Sequence, residues 1–331
     1  MSASSPSQRS ARSAASMALG PSQRQRLSGK DPATRTAGQF LLLVGGYWLL
    51  TGLALKLFWG TPLGSLPQLW QDVLKLDRQP YAAVDNEAAL VAIAVVLPML
   101  AAVDAGMRLF CPQSGARWFL LHALGNAFVV AFAAPDILYT FRRPPYAMSL
   151  PYCRELHGAG LFAACSDWPQ CIIVALHAYH MLAFKLSAED MFHHIVFVPT
   201  IAGANFAFEF GPGANILAFF ISGLPGGIDY LMLGMVKMGL LDSMKEKRLN
   251  CSINTWIRAP GINAFCVVVL SAWCHPPAGE ASVPASIFLP LVLLTFFNGQ
   301  YYAQRVVGNY YIRETQRLGK QGIKHVELHA S

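Results

Sequence analysis

Charge is what this sequence has least of. Asp, Glu, Lys and Arg make up 13% of its 331 residues, about half the roughly 25% usual for soluble domains. With a hydrophobic fraction of 54%, a soluble fold of this length would have too little charge to cover its surface. The seven cysteines form no CxxC pair and no zinc-ligand spacing. Walker loops, GxSxG elbows, HExxH helices and Rossmann glycine patterns are all missing, which removes P-loop hydrolases, serine hydrolases, zincins and dinucleotide enzymes. No basic stripe interleaved with aromatics offers a stacking platform, so nucleic acid is not an expected partner. An internal repeat and an ordinary secretory signal peptide are also lacking, which leaves the first apolar run to direct insertion.

The charge that exists lies at the ends. Residues 1–38 carry six Lys/Arg against Asp31, and residues 305–331 carry five against two acids, so the tails sum to +8 of a net +7. Basic tails flanking apolar runs read as anchors near anionic lipid. The Ser-, Ala- and Arg-rich first 38 residues are expected to be a disordered tail or an organellar transit peptide. Residues 305–331 are expected to be a basic cytosolic tail.

Between them, residues 39–304 read as an all-α, polytopic membrane helical bundle. A spanning helix needs about 20 mostly apolar residues. The candidates are 39–59, 88–110, 117–140, 170–186, 191–210, 213–237, 260–274 and 284–304: eight spans, with seven or six as the alternatives. The 60–87 loop, with four acids against two bases, falls outside. The loop at 237–258, with Lys237, Lys245, Lys247, Arg248 and Arg258, falls inside. Loop 141–169 holds Cys153 and Cys165, which are either bridged or free buried thiols.

Ionisable groups inside a span are expensive and so become candidates for function. His193 and His194 follow Ser187-Ala188-Glu189-Asp190, a capping-box variant that puts both imidazoles in the second turn of the fifth span. There they either bond to carbonyls or act as base and orienting donor. The sixth span is interrupted by Gly223-Leu224-Pro225-Gly226-Gly227. This run is expected to unwind the helix and place Asp229 in the first turn of a half-helix facing the histidine pair. His177 and His180 share a face of the fourth span and are expected to line the same cavity. Their HxxH spacing lacks the HxxHH box of a di-iron hydroxylase, so no metal or resident cofactor is expected. Asp104 and Arg108, four apart, are expected to pair. His122, Asn126 and Asp136 mark a polar face on the third span, as Asn298 and Gln300 do on the last.

The approach Glu189-Asp190-Met191-Phe192-His193-His194, the acid Asp229 downstream and the helix end Met235-Val236-Lys237-Met238 resemble the TLC domain. That fold is shared by the TRAM translocation proteins, the Lag-type ceramide synthases and the ceroid-lipofuscinosis endoplasmic-reticulum protein. The resemblance spans about residues 90–310, and its specific part about 185–240. The family's Leu-His-Asp is replaced here by Gly-Leu-Pro-Gly-Gly, so the acyltransferase motif is incomplete. The resemblance implies a multi-pass protein that binds lipid and influences membrane lipid composition or trafficking, with His177, His180, Asp190, Gly223, Pro225, Gly226 and Gly227 lining the cavity. The alternative it implies is an acyl-CoA-dependent N-acyltransferase, with acyl-CoA as cosubstrate and His193, His194 and Asp229 as catalytic groups. A small-solute or ion-coupled transporter is a further reading of the broken helix. Membrane lipids, and a homo-dimer of the chain, are the expected partners. The resemblance implies the endoplasmic reticulum, and a transit-peptide tail would imply a plastid or mitochondrial membrane.

Overall fold

A computed structural model of the chain describes residues 86–111, 115–149, 165–184, 198–202, 210–277 and 283–320, with positions 186, 191, 194 and 196. Among these residues the fold is helical and contains no β-strand. The long elements are α1 (Asn86–Phe110), α2 (Ala116–Arg142), α3 (Trp168–Ala183), α4 (Pro212–Ala218), α5 (Leu224–Lys237), α6 (Ser243–Ile253), α7 (Ala259–Cys274) and α8 (Ala285–Lys320). The expected span at 39–59, the capping box at 187–190 and most of 191–210 lie outside the described residues.

Prolines set where these helices begin. Pro169, Pro212, Pro225 and Pro260 each fall in a first turn, where the missing N–H would have had no partner. Two of them have a further effect. A π-helical turn, Phe219–Gly223, joins α4 to α5 and ends two residues before Pro225. A second, Asn254–Arg258, joins α6 to α7 and ends two residues before Pro260. A proline ring clashes with the carbonyl four residues back, and a widened turn makes room for it without parting the chain. Pro212–Lys237 and Ser243–Cys274 are therefore continuous helical rods.

This changes two expectations. The run 223–227 does not unwind; its perturbation is a π-turn that keeps the main chain hydrogen-bonded, as a non-aqueous surrounding demands. Most of the expected loop 237–258 is helix. Only Met238–Asp242 turns, with Gly239 at φ 74°, and Asp242 then caps α6 by accepting from the amides of Met244 and Lys245 at 3.0 and 3.1 Å. Position 305, the expected start of a tail, lies inside α8, which runs 36 residues.

Four helices among the described residues are long and apolar enough to cross a membrane: Ala89–Leu109, Ala116–Arg142, Pro212–Lys237 and Ser243–Cys274. Their side chains are distributed inside out. Leu109, Leu138 and Val267 are 81%, 62% and 68% exposed, while Asp104, Asn126, Asp136 and Asn254 are at most 1% exposed. Apolar surface outside and polar groups within suit lipid as the solvent. The protein is membrane-embedded.

A buried carboxylate closes each end of the bundle. At one end Asp104 accepts from Arg108 Nη2 at 2.9 Å, as expected from the sequence, and also from Arg117 Nε at 3.0 Å and the Tyr179 hydroxyl at 3.2 Å. It thereby ties α1, α2 and α3 together. At the other end Asp136 accepts from the Cys165 amide and from Asn215 Nδ2, both at 2.7 Å, and Asn215 Nδ2 also donates to the Ser166 carbonyl at 2.7 Å. Cys165 is disulfide-bonded, whereas Cys111, Cys171, Cys251, Cys266 and Cys274 are free. Its expected partner, Cys153, lies outside the described residues. Between these clamps one apolar core joins α1, α2 and α3 around Leu97, Leu121, Val129 and Leu176, and a second joins α4, α7 and α8 around Ile216, Ile262 and Phe288.

Replacing Asp104 with Ala strands the Arg117 guanidinium in the bundle. Breaking a buried pair from one side costs about 3 kcal/mol or more, so Asp104→Ala is expected to lower the thermal unfolding midpoint in detergent markedly. Arg108→Ala, at a side chain 49% exposed, is expected to cost less than about 1 kcal/mol in the same assay.

Candidate functional site

The site grows from the face that α2 presents to α5. Leu120, Ala123, Asn126, Val129 and Val130 recur at helical spacing along α2, and Gly223, Gly226, Gly227 and Gly234 come down on them. A Cβ on Gly227 would lie 3.3 Å from Asn126 Cβ, and one on Gly226 would lie 3.0 Å from Asn126 Nδ2. These glycines therefore serve close helix approach. Asn126 is buried and its Oδ1 accepts from Ser222 Oγ at 2.9 Å.

One turn before Asn126 stands His122, and there four imidazoles converge. His122 comes from α2, His177 and His180 from α3, and His194 from the segment that follows. His180 Nδ1 and His194 Nε2 are 3.1 Å apart. Ring centroids separate His194 from His177 and from His180 by 4.9 Å each, and His122 from His180 by 5.7 Å. His122 Nδ1 donates to the Trp118 carbonyl at 3.2 Å and His177 Nδ1 to the Ile173 carbonyl at 2.7 Å. A carbonyl can only accept, so both rings carry their hydrogen on Nδ1 and keep a lone pair on Nε2. Trp118 packs against His122 and His180, and Tyr230 of α5 lies 4.7 Å from His122. His122, His180 and His194 are each buried to within 6% exposure. No three His, Cys, Asp or Glu side chains among the described residues are placed to hold a metal ion.

A second polar group adjoins the first through Tyr230. Asp229, partly buried in the second turn of α5 rather than the first, interacts electrostatically with Arg258 and Glu246. Glu246, Asn250, Asn254 and Arg258 follow one another every four residues. Asn254 Nδ2 donates to Asn250 Oδ1 at 2.6 Å, Arg258 Nη1 donates to Asn254 Oδ1 at 3.0 Å, and Asn250 hydrogen-bonds Glu246. This polar ladder leads from the helix end at Asp242 to the bundle interior. The two π-turns touch where it ends.

The structure thus joins His177, His180 and His194, as expected. Pro225, Gly226 and Gly227 lie one turn from this cluster, against Asn126. Gly223 packs on Val129 and Val130. Asp229 falls beside Arg258 and Glu246, and its neighbour Tyr230 is the residue that reaches His122. His193 and Asp190 lie outside the described residues. Residues not expected at the site are Trp118, Tyr230, Arg258 and the ladder. The four-residue spacing of Glu246, Asn250, Asn254 and Arg258 was the signal for that ladder.

An apolar cleft opens farther along α3, lined by Gln170, Ile201, Leu217, Phe265, Phe288 and Thr295 among others. Chemically, the cluster offers imidazole donors and acceptors in aromatic surroundings, beside an Arg–Asp pair. No family model, no curated protein and no solved structure matches this chain.

Packing at Gly227 gives a check on this geometry. Gly227→Val is expected to part α2 from α5 and lower stability by about 2 kcal/mol, as overpacking does. Gly308→Ala, where nothing lies within 4 Å of the new carbon, is expected to raise it by up to about 1 kcal/mol. Thermal unfolding of the two variants in one detergent compares them.

Proposed function

We propose that this chain is a multi-pass membrane protein that holds the polar end of a membrane lipid at the histidine cluster, and through it influences that lipid's abundance or trafficking. The observation that carries this reading is the convergence of His122, His177, His180 and His194 in an aromatic-walled, buried position. Imidazoles of this kind both donate and accept, which suits the hydroxyl or amine of a lipid head. The apolar cleft at Gln170 supports the same reading from the other side. It lies seven to ten residues before His177 and His180 on α3, about 10–15 Å along the helix, so head and chain have separate receptacles. The TLC resemblance agrees with a lipid role and favours the endoplasmic-reticulum membrane.

The hydrogen-bonded His180–His194 pair favours a second reading, acyl-CoA-dependent N-acylation. In it His194 takes the proton from an attacking amine while His180 fixes the ring, the usual division between a base and its orienting partner. Arg258 and Asp229 lie within reach of the same region as charged supports.

The test is the lipid content of the purified protein. Wild type in mild detergent is expected to carry one lipid class enriched over the surrounding membrane, and His180→Phe/His194→Phe to retain at least about tenfold less, equivalent to 1.4 kcal/mol. Bound lipid that merely mirrors the bulk membrane, on a folded wild type, would sink the proposal. Incubation with labelled acyl-CoA and a sphingoid base then separates the readings. Amide product formed by wild type and lost in His194→Ala means transfer, and no product from a lipid-loaded wild type means binding alone.

A further inference from the structure

Two buried N–H donors near the histidine cluster have nothing to donate to. Asn126 Nδ2 and Arg258 Nε are both enclosed and neither has a hydrogen-bond partner. They come from different elements, α2 and the π-turn Asn254–Arg258. Both side chains are directed at one place: the Cβ position that Gly226 leaves empty is 3.0 Å from Asn126 Nδ2 and 3.7 Å from Arg258 Nη2. A buried donor left unmatched costs about 1–3 kcal/mol, so two at one point constitute a standing demand for an acceptor.

The acceptor's charge can be read from the neighbours. Arg258 and Lys247 bring two positive charges, and Asp229 and Glu246 bring two negative ones. Asp229 acts on both Arg258 and Glu246, and Lys247 Nζ is 3.6 Å from Glu246. The remaining groups facing the point, Ser222, Asn254 and Tyr230, carry no charge at neutral pH. The guanidinium is already balanced. A phosphate or carboxylate would bring an unmatched negative charge beside Asp229, whereas an uncharged oxygen would not.

We propose that the junction of α2, α5 and the π-turn Asn254–Arg258 is a recognition point for the carbonyl oxygen of an ester- or amide-linked acyl lipid, bound by Asn126 Nδ2 and Arg258 Nε. This rests on the lipid-holding role of the histidine cluster and gives it a substrate class. His122 and Asn126 are one turn apart on the same face of α2, a rise of about 6 Å. That spacing fits a lipid whose hydroxyl head meets the imidazoles while its acyl linkage reaches the second point. A lipid with an ether in place of the carbonyl would leave both donors unmatched.

The full-length protein in nanodiscs tests this with four single-chain probes read by native mass spectrometry. The probes are 1-monooleoylglycerol (ester), N-oleoylethanolamine (amide), 1-O-oleylglycerol (ether, no carbonyl) and oleoyl lysophosphatidic acid (anionic). Wild type is expected to retain the ester, the amide or both about tenfold better than the ether, and whichever is held better identifies the linkage. Arg258→Lys keeps the charge beside Asp229 but removes Nε, and Asn126→Leu keeps the shape but removes the amide. Each is expected to bring ester and ether to parity while still holding lipid, with helical content and monodispersity as checks on folding. Equal retention of ester, amide and ether by wild type overturns the carbonyl point, leaves the donors to bridging water and spares the lipid-holding role. Preference for the lysophosphatidic acid overturns the charge argument. Retention of no probe overturns the lipid-holding role and this inference with it.

Discussion

α2 and α5 can lie together only because Asn126 meets Gly226 and Gly227 instead of side chains. Much of the interior follows from that contact. Its closeness sets the distance at which Tyr230 approaches His122 and at which Gly223 seats on Val129 and Val130. It also brings the π-turn before α5 against the one before α7. In lipid no hydrophobic driving force presses helices together, so small residues and interhelical hydrogen bonds must supply the fit. Ser222 donating to Asn126 supplies one such bond at the contact itself. The carboxylates at either end, Asp104 and Asp136, then limit how far the helices can slide.

The sequence made some of this readable and hid the rest. The membrane class was legible because long apolar runs have one physical explanation. Asp104–Arg108 was legible because groups four apart on a helix meet. The histidines of α3 and His194 were legible as a shared cavity because each is costly within a span. What failed was the treatment of charge as a mark of loops. Lys245, Lys247 and Arg248 made 237–258 look like a solvent-exposed connection, yet Glu246, Asn250, Asn254 and Arg258 form one inward face of a helix. Spacing, and not charge content, carried that information. The Gly-Pro-Gly-Gly run misled for a related reason. It was read as a loss of hydrogen bonds, while the chain answers the proline with a wider turn and uses the glycines for contact.

Trp118 and Tyr230 were missed because an aromatic residue in an apolar run gives no signal of its own. Their role appears only when α2, α3 and α5 are set side by side. Arg117 and Tyr179 at Asp104 were hidden in the same way, since a clamp drawn from three helices has no linear spacing.

The paired π-turns have a consequence of a different kind. Each holds one more residue than an α-turn needs, so each is a place where the chain could lose a residue and still close its main-chain hydrogen bonds. Everything downstream would then rotate by about 100°. At Phe219–Gly223 that rotation would carry Tyr230 off the histidines and turn the glycines away from Asn126. At Asn254–Arg258 it would part the ladder from the residues beyond it. Shortened descendants of this chain could thus insert and fold as helices while losing the alignment of their interior, so the length of these two turns is as much a part of the site as the side chains around it.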